Sequence, residues 1–128
     1  MKPWYLATPY TNYPDGHEAA FRAAALLTAR LHELGVRVFC PITHSHPISV
    51  ALPSERSSFA YWLDIDLWAV DNSKGVLVGQ LPTWRASQGV QKEVQRARFA
   101  DLPVLYLHPA TLCMQLVPFP EDAECPGA

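Results

Sequence analysis

Short unbroken apolar runs alternate along the chain with stretches whose apolar residues recur every three or four positions. Trp4 to Ala7 reads as a short buried strand, ended by the loop chemistry of Thr8-Pro9-Tyr10 and Tyr13-Pro14-Asp15-Gly16. From His17 to Leu34, the residues Ala20, Ala24, Leu27, Leu31 and Leu34 form one helical stripe, and Gly35 is a natural stop just past it. Val36 to Cys40 is a second buried strand. Pro41 to Arg56 holds three prolines and two histidines and is expected to be a long loop, with a short helix around Ile48 to Leu52. Ser57 or Ser58 caps a helix through Phe59, Trp62, Leu63, Asp66, Leu67 and Val70, which Asn72, Ser73 and Gly75 close. Val76 to Val78 is strand three, Leu81 to Ala86 its exit loop, Gln88 to Ala100 a helix and Val104 to Leu107 strand four.

The order βαβαβαβ, with continuous apolar strands, predicts an α/β fold: a parallel sheet sandwiched between helices, of flavodoxin or Rossmann-like type. Residues 1–108 form the domain, and the proline-rich, acidic segment 109–128 is expected to be irregular. Ligands in such sheets bind outside the carboxyl ends of the strands. That rule selects Thr8 and Tyr10 after strand one, His44 and His46 after strand two, and Trp84 to Ser87 after strand three.

With 128 residues, 49% of them hydrophobic, the chain has room for one core and no second domain. A net charge of -2 without any basic run argues against polymeric nucleic acid or a membrane surface as partner and leaves a small molecule. The apolar run at the N-terminus is too short for a signal peptide, and no stretch is long enough to span a bilayer. The three cysteines, Cys40, Cys113 and Cys125, are odd in number and widely spaced, which predicts free thiols and a cytoplasmic protein.

Candidate chemistry concentrates where strand three leads into the last helix. Ser87 is suited to cap that helix, and its hydroxyl beside unpaired N–H groups makes a cradle for an anion. Gly89 lies in the first turn, where glycine costs about 1 kcal/mol relative to alanine, so something is expected to approach the backbone there. Glu93 follows about 9 Å along the axis, its side chain tilted back toward the N-terminus. On spacing alone, an exposed carboxylate paired with Lys92, Arg96 or Arg98 is the favoured reading of Glu93. Asp64, Asp66 and Asp71 likewise resemble surface carboxylates. Asp66 nonetheless sits among aromatics that can raise its pKa and make it a proton donor, and Asp71 joins the substrate-binding candidates. His44 and His46 are expected to shape the rim or bond substrate rather than hold a metal, since only the distant His108 offers a third imidazole. Trp84 can stack on a base or pack, whereas Phe59, Trp62 and Trp68 are expected in the core. No GxGxxG, Walker or Gly-X-Ser-X-Gly motif is present, and neither a metal nor an organic cofactor is called for.

Four segments, Tyr5-Leu6-Ala7-Thr8-Pro9-Tyr10, Val38 through Pro47, Ser87-Gln88-Gly89-Val90-Gln91-Lys92-Glu93 and Leu102 through Leu107, resemble the nucleoside 2-deoxyribosyltransferase-like superfamily, in a short branch of largely unknown function. The resemblance covers Tyr5 to about Leu107. It implies that Glu93 is a nucleophile on an anomeric carbon, that Tyr5 positions it, and that Asp66, or in another register Asp64, assists the leaving base. Ser87 stands where members acting on free nucleosides carry Asp and where members hydrolysing nucleoside 5'-monophosphates carry Ser. A hydroxyl with helix N–H groups binds phosphate that a carboxylate would repel. The resemblance therefore implies an N-glycosidase acting on a nucleoside 5'-monophosphate, ribo or deoxy. Base exchange between nucleosides and a non-catalytic nucleotide-sensing module are the alternatives. It further implies a homodimer or homotetramer.

Overall fold

A computed structural model describes residues 1–121. Five strands form one sheet in the order β2-β1-β3-β4-β5: β1 (Trp4–Ala7), β2 (Val38–Phe39), β3 (Val76–Gly79), β4 (Val104–Leu107) and β5 (Met114–Gln115). The first four run parallel, in registers such as Tyr5 with Val76 and Val76 with Val104, while β5 lies antiparallel against β4. The α/β parallel-sheet fold expected from the apolar pattern is the one observed. Its strands alternate between two cores, because successive side chains on a strand point to opposite faces. Tyr5, Ala7, Val76, Val78, Val104 and Tyr106 share one core with Val70, Val90 and Val94. Leu6, Leu77 and Leu107 share the other with Ala24, Leu27 and Leu31.

Four helices cover the two faces: α1 (His17–Glu33), α2 (Pro41–Ala51), α3 (Phe59–Asp71) and α4 (Gln88–Phe99). α1 and the start of α2 lie against the second core, through Ala24, Leu27 and Leu31 and through Ile42. α3 and α4 lie against the first, through Val70 and through Val90, Val94 and Ala97. The chain passes from β1 to one side and then returns to place β3 on the other. The sheet order thus reverses between β1 and β3, the position where α/β folds form a ligand crevice. Gly79 allows the close packing at this point: a Cβ there would lie 2.9 Å from Leu27 and 3.1 Å from Thr8.

Two segments differ from the expectation of irregular chain. The expected loop 41–56 instead begins with helix α2, which carries Pro41 at its first turn and Pro47 in its interior. Pro41 costs nothing, since a first-turn N–H has no intrahelical acceptor, but Pro47 removes a helical hydrogen bond at a cost of about 3 kcal/mol. Burial of Pro41, Ile42 and His46 against α1 and the sheet offsets that cost. After Leu107 the chain returns as β5. There Arg30 donates to the carbonyls of Pro109 and Ala110 at 2.7 and 2.9 Å. The Gln80 amide exchanges two hydrogen bonds with the backbone of Phe119, which is buried.

The thiol expectation also changes. Cys40 is a buried free thiol whose pKa burial pushes up, which makes it inert packing. Cys113, in contrast, is disulfide-bonded, and Cys125 lies outside the described residues. The cysteines therefore give no support to a reducing compartment. Among the described residues, no helix is long and apolar enough to cross a membrane.

Candidate active site

At the carboxyl rim a cavity of about 740 Å³ opens between the ends of β1 and β3, walled by α2, α3 and the start of α4. Thr8, His46, Asp66, Ser87, Gly89 and Glu93 line it together. Its size suits a small organic ligand.

Glu93 sits in the second turn of α4, on the face carrying Val90, Val94 and Ala97, so its helix position drives the carboxyl inward and only 4% of it is exposed. The fully buried Tyr5 of β1 donates its hydroxyl to Glu93 Oε2. Burial raises the Glu93 pKa well above the carboxylate range, the Tyr5 bond pulls it back in part, and the charge of Asp66 pushes it up again. Burial, and then the Glu93 charge, raise the Tyr5 hydroxyl too, so it remains a donor. The plainer reading of Glu93 as a surface carboxylate paired with Lys92, Arg96 or Arg98 does not describe it.

Asp66 projects from α3 into the same cavity, and burial raises its carboxyl to about 7. Two carboxyls with raised pKa values thus line one cavity, with Tyr5 committed to Glu93 alone. Displaced pKa values of this kind cluster at functional sites, and a raised one is what a general acid requires.

Ser87 caps α4: its Oγ accepts from the Val90 N–H at 3.3 Å. The amides of Gln88 and Gly89 at the cavity mouth have no acceptor among the described residues. Gly89 is not demanded by the fold. A Cβ there would meet only Ser87 Oγ, at 3.8 Å, an ordinary contact. The loop reaching Ser87 turns through Thr83 at φ 71°, a left-handed conformation that a β-branched residue adopts at a cost.

Three expected residues stand apart from the cavity. His44 is exposed, its ring tilted against Phe39 with centroids 6.2 Å apart, because the α2 helix turns it away from His46. Trp84 packs on the first core beside Tyr106, with Arg85 over its ring. Asp71 lies at the end of α3 in a bidentate pair with Arg96, both bonds 2.7 Å. His46 does line the cavity, but Tyr10 and Glu18 occupy its two ring nitrogens. Among the described residues no cluster of His, Cys, Asp or Glu has the makings of a metal site.

The periodicity of α3 misplaced its aromatics. Trp62 and Phe59 line the cavity, with the Trp62 indole donating to Ser57 Oγ at 3.0 Å, and Trp68 is 65% exposed. Ser49, Ser57 and His17 line the cavity and were also missed, since nothing in their local sequence marks them as facing a cavity built by distant segments.

An α/β domain with a ligand-sized cavity at its switch point, based on a tyrosine-bonded glutamate, is what the fold and site define. Residues 2–108 match a family model described as a domain of unknown function (DUF1937), and the chain belongs to that family. No curated protein matches it.

Proposed function

We propose that this protein is an N-glycosidase of nucleoside 2-deoxyribosyltransferase-like type, cleaving the bond between base and sugar in a nucleoside 5'-monophosphate. The hydrogen bond from buried Tyr5 to Glu93, at the base of a cavity that also holds Asp66 and the Ser87 cap, carries the reading. The amides of Gln88 and Gly89 and the Ser87 hydroxyl bind the phosphate. A Glu93 oxygen then attacks the anomeric carbon as the bond to the base nitrogen breaks, and the Asp66 proton goes to the departing base. The result is a glycosyl ester on Glu93 and an ionised Asp66. Water attacks the same carbon, Asp66 takes its proton, and the ester bond breaks to restore the Glu93 carboxylate.

The raised pKa of Asp66 supports its part as the acid, because a carboxyl near 7 still holds its proton over much of the neutral range. The Tyr5 bond supports Glu93 as nucleophile, because it favours the ionised form against burial. Such a substrate is met in the cytoplasm, where we place the activity. We also infer a homodimer or homotetramer, a reading supported by the exposed Tyr61, Ile65 and Trp68 on α3 beside the cavity. The test is chromatography of free base from a panel of nucleotides and nucleosides. Base release from nucleotides in preference to nucleosides is expected, and a panel with no base released anywhere overturns the assignment.

A further inference from the structure

The cavity crosses the rim of the sheet. Glu93, Asp66 and Ser87 belong to the α3 and α4 side, whereas Tyr10 packs against the core under α1 and α2. A nucleotide with its phosphate at Ser87 and its anomeric carbon at Glu93 has room for its base to pass from Asp66 across the rim toward Tyr10, which lines the same cavity. The Tyr10 hydroxyl lies 2.7 Å from His46 Nδ1, and His46 Nε2 lies 2.8 Å from Glu18 Oε2. His46 is buried and stacked on Phe21, while Glu18 is exposed and also bonded to Arg22. Glu18, held below the usual carboxylate range first by His46 and then by Arg22, is an acceptor, so Nε2 carries a proton.

Resting on the nucleotide reading above, we propose that Tyr10 is a specificity-determining residue whose hydroxyl reads an amino group on the base, and that His46 and Glu18 are positioning residues that set its polarity. With the ring proton on Nε2, Nδ1 accepts the Tyr10 O–H, and the phenol oxygen offers only lone pairs to the cavity. An amino group on the base is then the matching partner, and an oxo group finds no donor. A purely structural triad would tie α2 to α1 and leave base preference unchanged when the Tyr10 hydroxyl is removed.

The test is calorimetry of adenosine against inosine monophosphate, and cytidine against uridine monophosphate, in the Glu93→Gln background so that turnover does not intrude. The amino member of each pair is expected to bind about tenfold more tightly than the oxo member, the worth of one hydrogen bond. Tyr10→Phe, with its fold checked by thermal unfolding, should remove that preference, and His46→Ala, which frees the phenol hydrogen for an oxo group, should remove it too. Equal affinity within both pairs, or a preference that survives Tyr10→Phe, overturns the proposal while leaving the nucleotide reading intact. No nucleotide binding at all overturns both.

Discussion

Tyr5 and Glu93 are 88 positions apart in the chain, yet the phenol at the heart of the sheet donates directly to the carboxyl in the second turn of α4. Without that donor, a carboxyl that is only 4% exposed would face the full penalty of burial. Tyr5→Phe removes one oxygen and leaves the ring packed. Because the bond lowers the Glu93 pKa, its loss raises that pKa further, so the acid limb of the rate profile moves to higher pH. A hydrogen bond to a charged group is worth about 1.5–3 kcal/mol, so kcat should fall roughly 10- to 100-fold. Rate measurements across pH check both. An unmoved acid limb means that Tyr5 does not act through Glu93.

For Asp66 the sign runs the other way from that of an ion-paired acid. Its folded pKa, about 7, lies above its ordinary 3.8, so the folded state holds more protons between these values. Stability is therefore greatest at acid pH and falls as pH rises toward 7. Asp66→Asn abolishes this contribution, and the variant should gain on the wild type between mildly acid and mildly alkaline pH. After discounting for partial exposure, the gain is on the order of 1–2 kcal/mol, seen as several degrees in Tm. The same change should cost activity, because Asn has no proton to give the base. A constant Tm difference across pH would show that Asp66 titrates normally.

Most of the fold was legible because its elements carry their own period: the alternating faces of β1, β3 and β4, the stripe on α1, and the apolar face of α4. Helix α2 was not, because Pro47 argues locally against it, while what holds it, the burial of Ile42 and His46 and the bonds to Tyr10 and Glu18, involves distant residues, the two bonds spanning 36 and 28 positions. The return of the chain as β5 was equally hidden, since a two-residue strand has no pattern of its own. In the site, Ser87, Gly89 and Glu93 could be read from one continuous segment. His44 was read as a neighbour of His46 on an extended loop, and helical geometry at that spacing separates the two.

Gly89 separates stability from function. A Cβ at this position has room, and alanine in the first turn gains about 0.5–1 kcal/mol over glycine. Gly89→Ala should raise Tm and at the same time weaken nucleotide turnover by crowding the phosphate. A variant that is more stable and fully active would remove the close approach from the account.

At position 87, Ser and Asp cap a helix about equally well, so Ser87→Asp should leave Tm nearly unchanged. A second negative charge at the mouth repels a phosphate but not a free nucleoside. The nucleotide-to-nucleoside ratio of kcat/KM is expected to fall about tenfold or more, the scale of one charge-assisted contact. Parallel kinetics on one nucleotide and its nucleoside would show it, and an unchanged ratio would separate Ser87 from phosphate binding.

Glu93 is the residue on which the chemistry turns, and Glu93→Gln keeps its shape and can still meet the Tyr5 hydroxyl. The decisive measurement is free base released from nucleoside 5'-monophosphates by this variant and by wild type, at matched concentration and with thermal unfolding confirming that both are folded. The account predicts base release by wild type and its loss in Glu93→Gln. Equal release by the two proteins would contradict it.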